Sequence, residues 1–363
     1  QAVHAQLGQP AALGFEVLAD GQDRLVLHAG GDDVPPVGGG VVVSEPLTVG
    51  DAGASGALRD TDGVNVWAGR LTQLAASRVR AATGSVLTLA GGVTGSASFY
   101  AEPDAGAEIA FTAGPVNLGS TSSTRTFYAH GAGAVALGAA GSVFGTLEVA
   151  GGTLRADVPG AWPAAVILVV GSGVSPGGTV DLNGYSQTVA QLKRGVATVG
   201  ERVVTSARPA TLTVSGSSST TYDGLFAGAL GLVKAGSATL TLSGAGSTYS
   251  GGTSVGAGTL DVGVSARLGV GGPVSVTGGT LRLRNAESVD DAATVRVSGS
   301  GKLRLDSGVE TVGALYLGGK RQRRGTYGAS TSAAQYRNDT YFNTSGTGVL
   351  EVMHGPESVL LIQ

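Results

Sequence analysis

A short alternating phrase recurs along the second half of this chain at nearly constant intervals. It reads "SATLTL" from residue 237, "AGTLDV" from 257, "GGTLRL" from 278 and "SGKLRL" from 300, so successive copies begin 20, 21 and 22 residues apart. Weaker copies stand earlier, "GSVLTL" from 84 and "GGTLRA" from 151. Self-similarity at this period is typical of solenoids, in which each repeat is one supersecondary unit that stacks on the next.

The residues inside each phrase indicate which solenoid this is. Leu281 and Leu283 alternate with Arg282 and Arg284, and this period of two is typical of strands with one apolar face. The Gly-rich and Ser-rich segments between copies supply tight corners. We therefore predict an all-β fold, an elongated right-handed parallel β-helix (β-solenoid) with almost no α-helix. The stretch 69–82, "GRLTQLAASRVRAA", also has helical spacing, but its flanks favour strands at least equally.

Composition narrows the class of protein. With 63 Gly, 13% charged and 42% hydrophobic residues, the chain is too apolar to be a disordered polar sequence. The absence of Cys excludes a disulfide scaffold, and a net charge of −3 argues against a nucleic-acid partner. A membrane-spanning helix needs about 20 apolar residues, and no apolar run in the sequence approaches that length. We therefore predict no membrane span.

One segment resembles a known repeat. The stretch 231–263, "GLVKAGSATLTLSGAGSTYSGGTSVGAGTLDVG", is similar to the passenger-associated repeat of bacterial autotransporters, with Ala238 replacing the second glycine of the motif. The residues of this stretch that match the motif are Leu232, Lys234, Gly236, Leu240, Leu242, Gly244, Tyr249, Gly251, Thr253, Val255, Gly258 and Leu260. Segments 181–192 and 312–352 resemble parts of large secreted repeat proteins.

The resemblance implies a β-helix that is secreted or displayed at the cell surface. It implies no single activity, because the repeat is a scaffold shared by proteins of different function. The start at Gln1 is expected to follow removal of a signal peptide, so we predict an extracellular or cell-surface location. Where a translocator would follow in an autotransporter, the chain ends on "HGPESVLLIQ". Either a translocator is cleaved off, or, as we favour, this is a separately exported relative.

The chain divides into three predicted regions. Residues 1–60 are expected to form a strand-rich irregular region for capping or assembly, and residues 61–352 the β-helix. Residues 353–363 are expected to form an apolar tail strand. An open β-helix exposes unpaired backbone at its ends, and neither terminus reads as a cap. We predict head-to-tail assembly of identical chains through terminal strands formed by Phe15, Val17, Leu18, Val359, Leu360, Leu361 and Ile362. Docking of the tail on its own chain is the alternative.

Residues suited to catalysis or metal binding are scarce. The four histidines, His4, His28, His130 and His354, lack metal-ligand spacing. The acidic pairs at 32–33, 60/62 and 290–291 read as solvated loop acids. We therefore predict no catalytic residues, no metal site and no cofactor. A carbohydrate-active enzyme, a lyase or hydrolase, would need an inward-facing row of carboxylates and arginines across adjacent coils, and the sequence does not reveal one.

One basic cluster stands out. Lys320, Arg321, Arg323 and Arg324 lie in "GGKRQRRG", residues 318–325, and are candidates for contact with a polyanion. The alternative is a solvated loop. Trp67, Tyr327, Tyr336 and Tyr341 could stack on sugars, but we expect them to fill the solenoid at its ends and irregular coils.

These observations favour a secreted structural or adhesive protein of the bacterial cell surface, not an enzyme. One form of this hypothesis is a subunit of an extracellular filament, with further copies of itself as partner and surface glycans as additional ligands. The alternatives are a carbohydrate-active enzyme on the same scaffold and a monomeric autotransporter-type adhesin passenger.

Overall fold

The chain folds into stacked coils of short β-strands. The computed structural model describes residues 25–27, 40, 42–49, 58–122, 124–171, 177–196 and 200–356. No helix occurs in these ranges, so none of the described residues belong to a helix that could cross a membrane. Most strand pairs are parallel, which confirms the predicted all-β parallel β-helix. The predicted region boundaries at 60 and 352 stay a prediction.

Two compact units make up the chain. Residues 1–180 with 195–200 form the first, and residues 181–194 with 201–363 form the second. The first unit contains strands β1 Leu25–Leu27, β2 Val42–Val43, β3 Leu47–Val49, β4 Leu58–Asp60, β5 Val64–Trp67, β6 Leu71–Gln73, β7 Ser77–Ala81, β8 Val86–Leu89, β9 Val93–Thr94, β10 Phe99–Pro103, β11 Glu108–Phe111, β12 Val116–Asn117, β13 Thr126–Leu137, β14 Thr146–Ala156, β15 Ile167–Val170 and β16 Gly178–Asp181, whose last residue begins the second unit.

Among the described strands of the first unit, three parallel ladders run from coil to coil. One joins β4, β7, β10, β13, β14 and β15. Another joins β2, β5, β8 and β11 to the later part of β13, and a short one joins β3, β6, β9 and β12. The stretch 69–82 therefore contains strands β6 and β7 and no helix.

Aromatic rings stack inside the first unit. Phe99 and Phe127 face each other in register on β10 and β13, with ring centroids 5.9 Å apart, and Phe144 extends the stack at 5.5 Å. All three are fully buried, and Trp67 is also buried. Consecutive coils therefore offer aligned core positions in which one ring packs on the next.

The second unit contains the repeated phrase. Its strands are β17 Gln187–Val189, β18 Gln191–Arg194, β19 Arg202–Val214, β20 Thr220–Tyr222, β21 Leu225–Lys234, β22 Thr239–Leu242, β23 Thr253–Val255, β24 Thr259–Val262, β25 Val274–Val276, β26 Thr280–Leu283, β27 Thr294–Val297, β28 Lys302–Leu305, β29 Val309–Val312, β30 Ala314–Leu317, β31 Lys320–Arg321, β32 Gly325–Gly328, β33 Tyr336–Arg337 and β34 Val349–Val352.

The copies of the phrase lie directly on top of one another. Leu260 pairs in register with Leu281, and Leu281 with Leu303, along the ladder β20, β22, β24, β26 and β28. These leucines are at most 1% exposed, whereas Asp261 and Arg282 occupy the opposite face of their strands. The apolar positions of the phrase are therefore the core of the solenoid. A second ladder, through β21, β23, β25, β27 and β30, closes the other side.

Candidate functional site

The basic cluster begins at a tight hairpin that interrupts the parallel ladder. Strands β30 and β31 are antiparallel, with Leu317 opposite Lys320. The two residues between them, Gly318 and Gly319, have φ values of 57° and 80°. A two-residue hairpin with both φ values positive is a type I′ turn, which favours glycine at both places. The sequence "LGGK" thus folds back on itself and places Lys320 and Arg321 on an exposed strand.

A small sheet at the C-terminal end of the described chain forms the other wall. Strand β32 pairs in parallel with β33 and antiparallel with β34, so Tyr327 lies beside Tyr336. Gly325 begins β32 with a φ of 142°. A Cβ at that position would lie 2.9 Å from the Tyr336 ring, so glycine is required there for the ring to approach.

The hairpin and the small sheet border an open pocket of about 430 Å³. This volume lies within the range of about 300–1,000 Å³ that is typical of small-ligand sites. Leu317 and Tyr327 are its buried side chains, and the other side chains that line it are partly or fully exposed. We call it the basic pocket. It is lined by Leu317, Lys320, Arg321, Gln322, Arg323, Tyr327, Tyr336, Arg337 and Asn338.

The charged residues that line the basic pocket are all positive. Four of the lining residues are cationic and none is acidic. Among the residues that the structure describes, none forms a salt bridge with Lys320, Arg321, Arg323 or Arg337. Several arginines on the coils behave differently. Arg80 pairs with Glu102 at 2.9 Å, for example, and groups of arginines and carboxylates elsewhere neutralise one another.

Aromatic and amide groups complete the basic pocket. The rings of Tyr327 and Tyr336 stack at 4.9 Å with 27° between their planes. Tyr327 is buried, and its hydroxyl donates to the carbonyl oxygen of Arg323 at 2.9 Å. Tyr336 is 38% exposed. The side-chain amides of Gln322 and Asn338 lie at the wall, so the pocket offers charge, hydrogen bonds and an aromatic surface together.

The structure groups the predicted contact residues only in part. Lys320, Arg321 and Arg323 line the basic pocket, whereas Arg324 is exposed but does not line it. Sequence reasoning missed Arg337, and it expected Tyr336 to fill the solenoid although that ring lines an open pocket. The predicted assembly residues Phe15, Val17, Leu18, Val359, Leu360, Leu361 and Ile362 lie outside the described residues.

A second polar group lies on the outer face of the first unit, and the sequence did not reveal it. Arg78, Tyr100, Tyr128 and Glu148 face one another in register on β7, β10, β13 and β14. The two tyrosine rings stack at 4.2 Å, and the guanidinium of Arg78 lies 4.9 Å from the Tyr100 centroid. The carboxylate of Glu148 lies 3.1 Å from His130 Nε2. We call this group the outer row.

The charged side chains of the outer row are paired with one another or with neighbours on the same face. Arg78 and Arg80 both pair with Glu102, and His130 pairs with Glu148. The faces of Tyr100 are taken by Arg78 and Tyr128, so this ring does not offer a face to a sugar. Burial raises the pKa of the Tyr100 hydroxyl, with the neighbouring Tyr128 as a further cause. A tyrosinate base would need a lowered pKa, so Tyr100 is poorly suited to proton abstraction.

Among the described acidic pairs, one differs from the expected solvated loop acids, and the pair at 32–33 lies outside the described residues. Asp60 is fully buried, and Asn65 donates to it from Nδ2 at 2.7 Å. Burial raises the pKa of Asp60. Asp62 and Asp291 are exposed, as expected, and Asp290 accepts backbone hydrogen bonds from Gly271 and Ala292. The described part of the chain contains no group of three or more His, Cys, Asp or Glu residues that could hold a metal ion.

The fold and these surfaces define a parallel β-solenoid that carries a cationic pocket of ligand size in its described part. A family model described as passenger-associated-transport-repeat matches residues 232–262, which confirms the resemblance over this segment. The match indicates a surface protein of the autotransporter-passenger type, secreted or displayed by the cell. Comparisons with curated proteins and with solved structures find no match.

Proposed function

We propose that this protein is a non-catalytic structural or adhesive protein of the bacterial cell surface. The observation that carries the proposal is the repeat match at 232–262, because its strands β22 and β24 belong to a ladder that continues through β26 and β28. The repeat is thus one part of a longer stack, and the whole stack serves as a scaffold. A scaffold of this kind presents surfaces instead of enclosing a reaction.

Accessibility on living cells tests the proposal. Antibodies against the purified chain are applied to intact source cells, to lysed cells and to culture medium. We expect labelling of intact cells or recovery from the medium, and loss of the cell-bound signal when intact cells are treated with protease. A signal that appears only after lysis would contradict a surface function. A cytoplasmic marker protein, which should be reached only after lysis, serves as the control.

A carbohydrate-active enzyme remains the second candidate, and the outer row is the observation that favours it. Arginines, tyrosines, a histidine and carboxylates lie on adjacent coils there, and these are residue types that acid–base cleavage of a polysaccharide uses. Incubation with pectin, alginate and glycosaminoglycans tests it through new reducing ends and unsaturated uronates. Under our proposal none of these is depolymerised. Depolymerisation that His130→Gln abolishes would establish the enzyme instead.

Assembly into a filament stays a prediction. It rests on the sequences around 15–18 and 359–362, both outside the described residues. The filament and the monomeric adhesin are two forms of the same surface function and differ only in assembly.

A further inference from the structure

The basic pocket carries an inference that deepens the proposed adhesive function and rests on it for its biological context. We propose that this pocket binds acidic sugar units, carboxylated or sulfated, of an anionic polysaccharide. Charge is the first feature that favours this ligand class. Lys320 and Arg321 come from the hairpin, Arg323 from the segment that follows it and Arg337 from β33, so separate segments bring cations to one cavity that has no acidic lining residue.

Guanidinium groups suit this ligand class in geometry as well as in charge. Arginine presents a planar set of N–H donors that matches the two oxygens of a carboxylate or sulfate. Arg337 uses Nε to donate to the carbonyl oxygen of Ala334 at 3.3 Å, which orients the group. Its terminal nitrogens form no salt bridge with any described residue. An incoming anion would therefore meet a guanidinium that is already held in place.

The side-chain amides of Asn338 and Gln322 offer the hydrogen bonds that a sugar requires in addition to charge. The amide oxygen of Asn338 accepts from the backbone N–H groups of Thr340 and Tyr341, which leaves its NH2 group as a donor to a ligand. Gln322 is arranged in the opposite sense, because its Nε2 donates to the carbonyl oxygen of Lys320 at 2.7 Å and its Oε1 remains as an acceptor. Sugar hydroxyls both donate and accept, and the exposed part of the Tyr336 ring provides a surface for a sugar face.

Two other anionic surfaces fit less well. A membrane surface would call for apolar side chains that insert beside the cations, but Tyr336 is the only large apolar residue lining the pocket that is exposed. A nucleic acid would need a positively charged track with several exposed rings, whereas this cavity offers one such ring and the chain carries a net charge of −3. Polysaccharide is therefore the ligand that the lining favours.

Calorimetric titration of the full chain tests the proposal. The ligands are a heparin oligosaccharide, an oligogalacturonate, a neutral maltooligosaccharide, phosphatidylglycerol vesicles and a single-stranded oligodeoxynucleotide. We expect binding of one or both acidic oligosaccharides, weakened by added salt, and at least about tenfold weaker binding of the others. Equal or tighter binding of vesicles or nucleic acid would overturn the assignment, as would failure of both acidic sugars to bind.

Variants locate the binding. Arg321→Gln with Arg337→Gln should weaken acidic-sugar binding at least about tenfold, the loss expected when charged hydrogen bonds are removed. The matched control, Arg59→Gln with Arg70→Gln, removes the same charge from exposed positions of the first unit and should bind as the parent does. Gln322→Glu, which preserves shape and adds a carboxylate to the pocket, should also weaken binding. Unchanged affinity in both pocket variants would overturn the proposal.

The outcome is independent of the localisation experiment. A chain that binds acidic sugars in solution but is reached only after lysis would contradict the surface function and leave the pocket assignment standing. A surface-exposed chain that binds no acidic sugar would support the surface function and contradict the pocket assignment.

Discussion

The ammonium group of Lys234 donates to the carbonyl oxygen of Ala257, which lies on the next coil at 3.4 Å. It also donates to the carbonyl oxygen of Gly236. Lys234 is only 1% exposed and has no carboxylate partner among the described residues. The lysine of the repeat motif is therefore a buried residue that links successive coils by hydrogen bonds, and not a surface cation.

Burial lowers the pKa of Lys234, which gives its contribution to stability a definite pH dependence. Between the lowered folded-state pKa and the unfolded value near 10.5, the unfolded chain binds more protons than the folded chain. The free energy of unfolding should therefore rise with pH in that window. Urea unfolding at several pH values should show the stability difference between the parent and Lys234→Met shifting in favour of the parent as pH rises. A constant difference would contradict this.

For Glu310 we expect the opposite pH dependence of the free energy of unfolding. Its carboxylate accepts backbone N–H groups of Ser288 and Val289, both at 3.0 Å, yet burial raises its pKa to about 7. The folded chain then binds the proton more tightly than the unfolded chain, so stability should fall as pH rises from about 4.5 to about 7. The full effect is up to about 3 kcal/mol.

Replacement of this carboxylate checks the effect. Urea unfolding at about pH 5 and about pH 8 should show a smaller pH dependence for Glu310→Gln than for the parent, because the amide does not titrate. Identical pH dependence in the parent and Glu310→Gln would show that this carboxyl titrates normally.

The hairpin glycines make a backbone prediction. Gly319 has a φ of 80° and open space around its Cβ position, so Gly319→Ala should cost about 1–2 kcal/mol through backbone strain alone. Gly256→Ala is the control, because that glycine is not left-handed and its added methyl would lie 3.8 Å from the nearest atom. It should be neutral or slightly stabilising. Thermal unfolding compares the two, and equal effects would contradict the assignment of a type I′ turn.

Filament formation can be tested by truncation. Removal of residues 357–363 should abolish fibres in electron micrographs of the purified protein while leaving the β-sheet circular dichroism intact, because the predicted assembly strand contains four apolar residues of this segment. Persistent fibres after truncation would refute assembly through the C-terminal strand. Isolated particles from the parent chain would favour the monomeric adhesin.

The repeated core was predictable because its information is local. Alternation within a phrase determines which side chains face inward, and near-constant spacing places Leu260, Leu281 and Leu303 at the same position of successive coils. The outer row has no such spacing. Tyr100 and Tyr128 lie 28 residues apart, although Tyr128 and Glu148 lie only 20 apart. Loops of unequal length bring these residues into register, and the sequence pattern does not encode that.

The basic pocket was predictable only on one side. Its run of cations is contiguous in the sequence, and the Gly318-Gly319 pair marks a turn. Arg337 and Tyr336 reach the pocket because β33 pairs with β32 across an irregular connection. That pairing is tertiary, and neither alternation nor spacing in the sequence indicates it. The buried states of Lys234 and Asp60 were missed for a similar reason, since isolated charged residues read as solvated.

Cross-linking of successive coils tests the central claim, that the repeated phrase stacks coil upon coil. Thr259 and Thr280 pair in register on β24 and β26, and the chain has no cysteine of its own. Parallel neighbours lie about 4.8 Å apart, within disulfide range. Thr259→Cys with Thr280→Cys should form an intramolecular disulfide on mild oxidation, measured by mass spectrometry, whereas Thr259→Cys with Ser275→Cys, on a different ladder, should not. Failure of the first pair to cross-link, or equal cross-linking of both, would contradict the account.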